Sequence, residues 1–239
     1  MTAHSTSAIR KRFPVLVVVL LALVCAGYAF LPEPLWNSRF WEPSIRAFES
    51  QDRLAPPRSG AIVFTGSSSI ARWRTLANDM NPLYVINRGF GGSQLSDVDR
   101  YAWRIVLPYH PRAVVLYAGD NDMAGRFGKS PERVLRDFHT FVEIVHSGLP
   151  EAWIYYVSIK PSISRERVWP KMRAANQIIE AFAQTQARVE FIDISAAMLD
   201  PQGRPRSDLL ESDGLHPNSK CYALWTSIIK PRLLQRFGP

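Results

Sequence analysis

Cysteine is nearly absent from this chain: Cys25 and Cys221 are the only two in 239 residues. Two cysteines cannot build a disulfide framework or a four-ligand zinc site. Both read as unpaired small residues, Cys25 inside an apolar run and Cys221 inside a terminal helix. A G-x-G-x-x-G dinucleotide fingerprint is also missing, as are internal repeats and low-complexity tracts. Charged residues make up 21% of the chain against 46% hydrophobic, which excludes a disordered polymer. The net charge of +8 comes from scattered Arg and Lys, without the clustered stripe or aromatic interleaving of a nucleic-acid binder. No nucleic-acid partner is expected; a solvated surface or attraction to anionic lipid heads accounts for the charge.

The length suits one substantial domain plus an extension. Residues 1–12 form a basic amino terminus ending in Arg10-Lys11-Arg12, and Val15 to Leu31 holds no charged residue. The stretch from Phe13 to Leu31 would span about 28 Å as a helix, enough for a bilayer core. The flanking cations predict a cytoplasmic amino terminus and an exported body. Residues 13–31 therefore read as a transmembrane anchor, favoured by the length of the run, or as a signal peptide cleaved after Gly27 and Ala29. Residues 32–59 are a lead-in interrupted by Pro32, Pro34, Pro43, Pro56 and Pro57. Its Trp36, Phe40, Trp41, Ile45 and Phe48 are expected to pack on the domain or on the membrane surface. Residues 60–239 are the main domain.

From residue 60 the pattern alternates. Apolar runs at 61–64, 83–86, 112–117, 152–158 and 189–193 have the length and β-branched or aromatic content of buried strands. Helical stretches lie between them. One starts at Ser130-Pro131 with Val134, Leu135, Phe138, Phe141, Val142 and Val145 on one face, a second covers about 165–184 and a third 219–234. Five strands alternating with helices predict an α/β fold, a parallel sheet with helices on both faces.

Four segments carry chemistry. Ile62-Val63-Phe64-Thr65-Gly66-Ser67-Ser68-Ser69-Ile70 runs a strand into a serine cluster, and Asp213-Gly214-Leu215-His216 spaces an acid and an imidazole as D-x-x-H. These supply a nucleophile, a base and an orienting carboxylate. Asn87-Arg88-Gly89-Phe90-Gly91-Gly92-Ser93 and Gly119-Asp120-Asn121-Asp122 follow two further strands. Glycine N–H groups and an asparagine amide at strand ends can hold an oxyanion. There is no G-x-S-x-G elbow, and Asp and His are too close in sequence for an α/β-hydrolase. Taken singly, each segment has a plainer account: a helix cap for the serines, a turn for the glycines, loop hydrogen-bonding for Asp120 and Asp122. His139 and His146, seven apart, are too distant to share a metal and are assigned to packing or solvent, and Asp97 and Asp99 to a solvated helix start.

In combination and in this order, the segments resemble the blocks of the SGNH hydrolases, the GDSL-like esterase/lipase family. The resemblance covers roughly residues 60 to 235 and implies a flavodoxin-like strand order, 2-1-3-4-5. It implies Ser68 as nucleophile, His216 as base and Asp213 as its orienter, with Ser68, Gly92 and Asn121 forming the oxyanion hole. Where the family has aspartate before the nucleophile, this chain has Ser67, and Ser69 follows. The G-S-S-S-I wording and Ile159-Lys160-Pro161-Ser162 are similar to one branch of the family. The implied activity is a serine esterase or acylhydrolase on a small-molecule or lipid ester, with acyl transfer on the same fold as the alternative and a non-catalytic binding module as a third. It needs no metal and no organic cofactor. Oligomeric state is left open.

Overall fold

The computed structural model describes residues 40–124 and 128–238. The unit that holds the sheet starts at Trp41. Five parallel strands, β1 (Ile62–Gly66), β2 (Val85–Gly89), β3 (Ala113–Tyr117), β4 (Trp153–Val157) and β5 (Val189–Ile192), lie in the order β2-β1-β3-β4-β5. This is the expected flavodoxin-like order. The helices are α1 (Glu42–Leu54), α2 (Ser68–Ala71), α3 (Leu76–Met80), α4 (Leu95–Ile105), α5 (Asp120–Met123), α6 (Pro131–Gly148), α7 (Trp169–Thr185) and α8 (Ser219–Phe237).

Alternation along each strand sends successive side chains to opposite faces, and two cores result. Val63, Val114, Leu116, Ile154 and Tyr156 meet apolar residues of α1, α4, α6 and α7. Ile62, Phe64, Val115, Tyr117, Tyr155 and Val157 meet those of α2, α3 and α8. All five residues of β3 are fully buried, as a central strand covered on both faces must be. Each such Val or Leu contributes about 1.5–3 kcal/mol through burial.

β1 and β2 run past the expected ends at 64 and 86, through Thr65-Gly66 and Asn87-Arg88-Gly89. Hydrophobicity stops at Phe64 and Ile86, but pairing does not, because the buried polar groups find partners. Thr65 Oγ1 donates to Arg88 O at 3.0 Å. The Arg88 guanidinium, whose side chain is only 8% exposed, pairs with Asp52 of α1, and its Nε donates to Tyr109 at 2.6 Å.

The lead-in expected to end at residue 59 is therefore divided. Its second half, from Trp41, is the start of the compact unit. Trp41 and Ile45 are buried in the α4–α6 core, and Arg104 of α4 bonds Glu42 at 2.9 Å and Glu49 at 2.6 Å. No helix among the described residues is long and apolar enough to cross a membrane. The apolar run at 13–31, with its competing readings as anchor and signal peptide, lies outside the described residues, as do residues 1–12, Cys25 and Trp36.

Helix ends follow local chemistry. Ser130 caps α6 by accepting from Arg133 N at 3.3 Å, with Pro131 at the first helical position. The stretch expected to be helical from about 165 begins as a 3-10 turn at Ile163–Val168, and α7 proper starts at Trp169.

Candidate active site

β1 ends at Gly66, with φ +125°, where a Cβ would fall 1.9 Å from Tyr117 O of β3. Glycine alone lets the chain pass this close and turn into α2. Of the three hydroxyls that follow, Ser67 is fully buried and Ser69 is 1% exposed. Ser68 is half-buried. It is the first residue of α2, where N–H groups have no intrahelical acceptor and the helix dipole favours negative charge. Ser67 Oγ, at the position of the family's aspartate, has no hydrogen-bond partner among the described residues.

Ser68 Oγ lies 3.0 Å from His216 Nε2, and His216 Nδ1 lies 2.5 Å from Asp213 Oδ2. These residues, 148 positions apart in sequence, share one hydrogen-bonded line. The loop that carries the histidine is closed on itself: Glu211 N donates to His216 O at 2.8 Å and Gly214 N to Glu211 O at 2.9 Å. Asp213 Oδ1 also accepts from Leu215 N and His216 N, each at 2.9 Å. The hydrogen bond from the His216 ring, with these two N–H groups, holds the Asp213 carboxyl well below the usual carboxylate range. Oδ1 is thus committed to the loop while Oδ2 faces the imidazole. Pro217 follows, and Asn218 caps α8 by accepting from Cys221 N at 3.1 Å. The loop is pinned at both ends.

The groups expected at the oxyanion lie on separate segments. Gly91 lies against Ser68, since a Cβ on it would meet Ser68 Cβ at 3.8 Å. Gly92 is exposed with φ +80°, and a Cβ there would meet nothing within 4 Å; it faces open space. Trp41 Nε1 donates to Gly91 O at 2.8 Å, and its ring meets Phe90 edge-on at 6.0 Å. Asn121 Nδ2 donates to Ser93 O at 2.9 Å, which leaves its second N–H available. Arg165 Nη2 donates to Asn121 Oδ1 at 2.7 Å. Behind it, Asp120 pairs with Lys160 at 3.2 Å and with Arg165 at 3.0 Å. Burial pushes the Asp120 carboxyl up, but Lys160 and Arg165 outweigh it and hold the group below its ordinary range.

Asp122 serves the same loops. Both its oxygens accept from Leu95 N at 3.1 Å, and Lys129 Nζ pairs with it at 2.9 Å. Asp97 and Asp99 do not sit in solvent as expected. Asp97 closes a capping box with Gln94, and burial lifts it to about 6. Burial, with the Asp137 carboxylate beside it, lifts Asp99 to about 8. Sequence pattern does not show which face of a helix start will be covered. His146 bonds Ala152 O at 3.2 Å, and His139 packs on Phe182. Cys221 is buried against Met198, its thiol pushed to about 12. No group of three or more metal-ligating side chains occurs among the described residues.

A cavity of about 790 Å³ lies elsewhere, lined by Trp153, Glu180, Arg188, Glu190, Arg232 and Arg236. Trp153, Arg188 and Glu190 lie at the amino-terminal ends of β4 and β5, with Glu180 on α7 and Arg232 and Arg236 on α8. Ser68, His216 and Asp213 lie at the carboxyl-terminal sheet edge, where ligands bind in open α/β sheets. Geometry of reactive groups outranks size in choosing between them. Trp41 was expected only to pack on the domain or the membrane surface, and Arg165 carried no sign of a role at the site. Lys160 stood in the Ile159-Lys160-Pro161-Ser162 wording without a role.

The sequence model of the GDSL-like Lipase/Acylhydrolase family matches residues 57–224, and the chain belongs to that family. It is a hydrolase acting on ester bonds. Similar solved structures include one from Streptococcus pneumonia (18% identity, 90% of this chain and 99% of that one, TM-score 0.71). Another is a GDSL-like lipase from Bacteroides thetaiotaomicron (20%, 80% and 97%, TM-score 0.69). A third is a carbohydrate esterase family 3 protein from Talaromyces cellulolyticus (20%, 74% and 97%, TM-score 0.58). At these identities they share the fold. No curated protein matches the chain in sequence.

Proposed function

We propose that this protein cleaves carboxylic esters by a Ser-His-Asp mechanism, with Ser68 as nucleophile. The observation that carries this reading is the continuous line from Ser68 Oγ through His216 to Asp213, at 3.0 and 2.5 Å. His216 Nε2 takes the Ser68 proton as Oγ forms a bond to the ester carbonyl carbon. Negative charge moves onto the carbonyl oxygen, where the N–H groups of Ser68 and Gly92 and the Asn121 amide receive it. Collapse breaks the ester C–O bond, and the departing alkoxide takes the proton from His216. Water then repeats the sequence on the acyl-enzyme and releases the acid and free Ser68. Asp213, ionised throughout, holds the Nδ1–H tautomer and stabilises the imidazolium.

The substrate proposed is a lipophilic acyl ester, met at a membrane to which residues 13–31 bring an exported domain. Ile163, 45% exposed, supports the acyl preference. It stands beside the histidine loop, since a Cβ on Gly214 would meet its Cβ at 3.2 Å. The test is a panel of p-nitrophenyl esters of increasing chain length, run with a fluorophosphonate probe on the wild-type chain and on Ser68→Ala. Turnover that rises with acyl length and vanishes with Ser68 is expected. A folded wild-type protein that neither labels nor turns over any ester would sink the reading.

A further inference from the structure

Asp120, Lys160 and Arg165 form a buried charged group that the ester mechanism does not itself use. Lys160 is 1% exposed and Asp120 4%. Burying an ammonium group costs several kcal/mol unless it is paired, so a chain that keeps one beside its candidate site gains something there. The Asp120 carboxylate has a partner on each oxygen. Oδ1 accepts from Asn121 N at 3.0 Å; Oδ2 faces Lys160 Nζ at 3.2 Å and Arg165 Nη1 at 3.0 Å. The other Arg165 terminal nitrogen, Nη2, donates to Asn121 Oδ1 at 2.7 Å. One guanidinium thus hydrogen-bonds the Asn121 amide through Nη2 while Nη1, which makes no hydrogen bond, lies against the Asp120 carboxylate as an ion pair, a reach across consecutive residues that a single ammonium nitrogen lacks. Two cations against one carboxylate leave this group with a net positive charge behind the Asn121 amide.

We infer that Arg165 is a positioning residue for the Asn121 amide, held in register by the Lys160–Asp120 pair. The inference rests on the proposed role of Asn121 as an oxyanion donor. With Oδ1 tied to Arg165 and one Nδ2 hydrogen tied to Ser93 O at 2.9 Å, the amide cannot rotate or flip. Its remaining N–H keeps one direction. A cation on the carbonyl end also draws electron density from the nitrogen and makes that N–H a stronger donor, since linked hydrogen bonds polarise one another. The gain is largest where negative charge develops, so it belongs to the transition state and not to substrate binding.

The experiment is a double-mutant cycle on the full chain with p-nitrophenyl acetate, comparing Arg165→Ala, Asn121→Ala and both together. Arg165→Ala is expected to lower kcat about 10- to 100-fold with KM within about twofold, less than loss of a whole donor. With Asn121 already removed, the same change is expected to cost under about threefold. Arg165→Lys, which keeps the pair with Asp120 but lacks the second nitrogen, is expected to stay at the low rate. It carries the comparison should Arg165→Ala not fold. Equal losses in both backgrounds, or full rescue by lysine, overturn the inference. A readout independent of turnover separates this from failure of the esterase reading. The Asn121 side-chain NH2 resonances, assigned by their absence in Asn121→Ala, are expected to shift in Arg165→Lys. Unchanged resonances overturn the inference even if no ester is ever cleaved.

Discussion

The two walls of the proposed site around Ser68, the histidine loop and the proposed oxyanion side, are built in opposite ways. The histidine wall is local. Residues 211–218 close on themselves through backbone hydrogen bonds, and the acid and the base sit three positions apart. Its carboxylate, Asp213, has a side chain 44% exposed. The proposed oxyanion wall is assembled from distant segments: the 90–93 loop, Asn121, Arg165 and Trp41, which reaches Gly91 across 50 residues. Its carboxylate, Asp120, is buried and balanced by two cations. The contrast follows from the work each wall has to do. A base and its orienter need one hydrogen bond each in a fixed plane, which a tight loop can supply. The proposed oxyanion donors, Ser68, Gly92 and Asn121, come from three segments, so their convergence depends on the sheet that brings those segments together.

The largest effect expected is at the residue both walls serve. Ser68→Ala should lower kcat at least about 10⁴-fold, while Ser67→Ala and Ser69→Ala keep measurable turnover. Probe labelling that survives in Ser68→Ala and disappears in Ser67→Ala would move the nucleophile.

Next is the oxyanion wall. Asn121→Ala should cost about 10²–10³ in kcat, as removal of one donor does, with KM little changed. A rise in KM at constant kcat would make Asn121 a substrate-binding group and break the comparison.

The histidine wall is tested by pH. Since its partners hold Asp213 below the usual carboxylate range, it stays ionised while His216 gains its proton. Activity should fall about tenfold per pH unit on the acid side, the slope of a single proton. A slope near hundredfold per unit, with the protein folded, would mean that Asp213 protonates too and that its local partners do not protect it.

The smallest effect tests how far the oxyanion wall extends. Trp41→Phe keeps the ring against Phe90 but loses the N–H to Gly91 O, and kcat should fall about 2- to 10-fold, the worth of one hydrogen bond. A chain starting at residue 33 should keep full activity on water-soluble esters. One starting at residue 55 should instead be destabilised, because Arg88 loses Asp52 and a buried charge left unpaired costs about 3–5 kcal/mol. Equal melting temperatures for the two would return α1 to the status of a tether.

How much of this could be read beforehand differs between the walls for the same physical reason. Local devices leave local marks. D-x-x-H at 213–216, the strand-to-serine junction at 62–70 and the Ser130-Pro131 helix start are each written within a few residues, because each is a contact between near neighbours. The five strands were equally legible, since burial on both faces demands an unbroken apolar run. β1 and β2 were read short because Thr65, Asn87 and Arg88 are polar, and only partners far along the chain make their burial tolerable. Asp97 and Asp99 were misplaced for the converse reason: nothing near them announces that other elements will cover them.

By itself, then, the amino-acid order determined the parallel α/β layering, a consequence of periodicity, and the order of the four blocks, whose resemblance to the family is what pointed to Ser68, Asp213 and His216. Tertiary structure alone decided that Ser67 and Ser69 are buried, that Trp41 belongs to the domain and that Lys160 and Arg165 stand behind Asn121. Those outcomes depend on distances between residues tens of positions apart. Such distances exist only once the sheet has brought its carboxyl-terminal edge together.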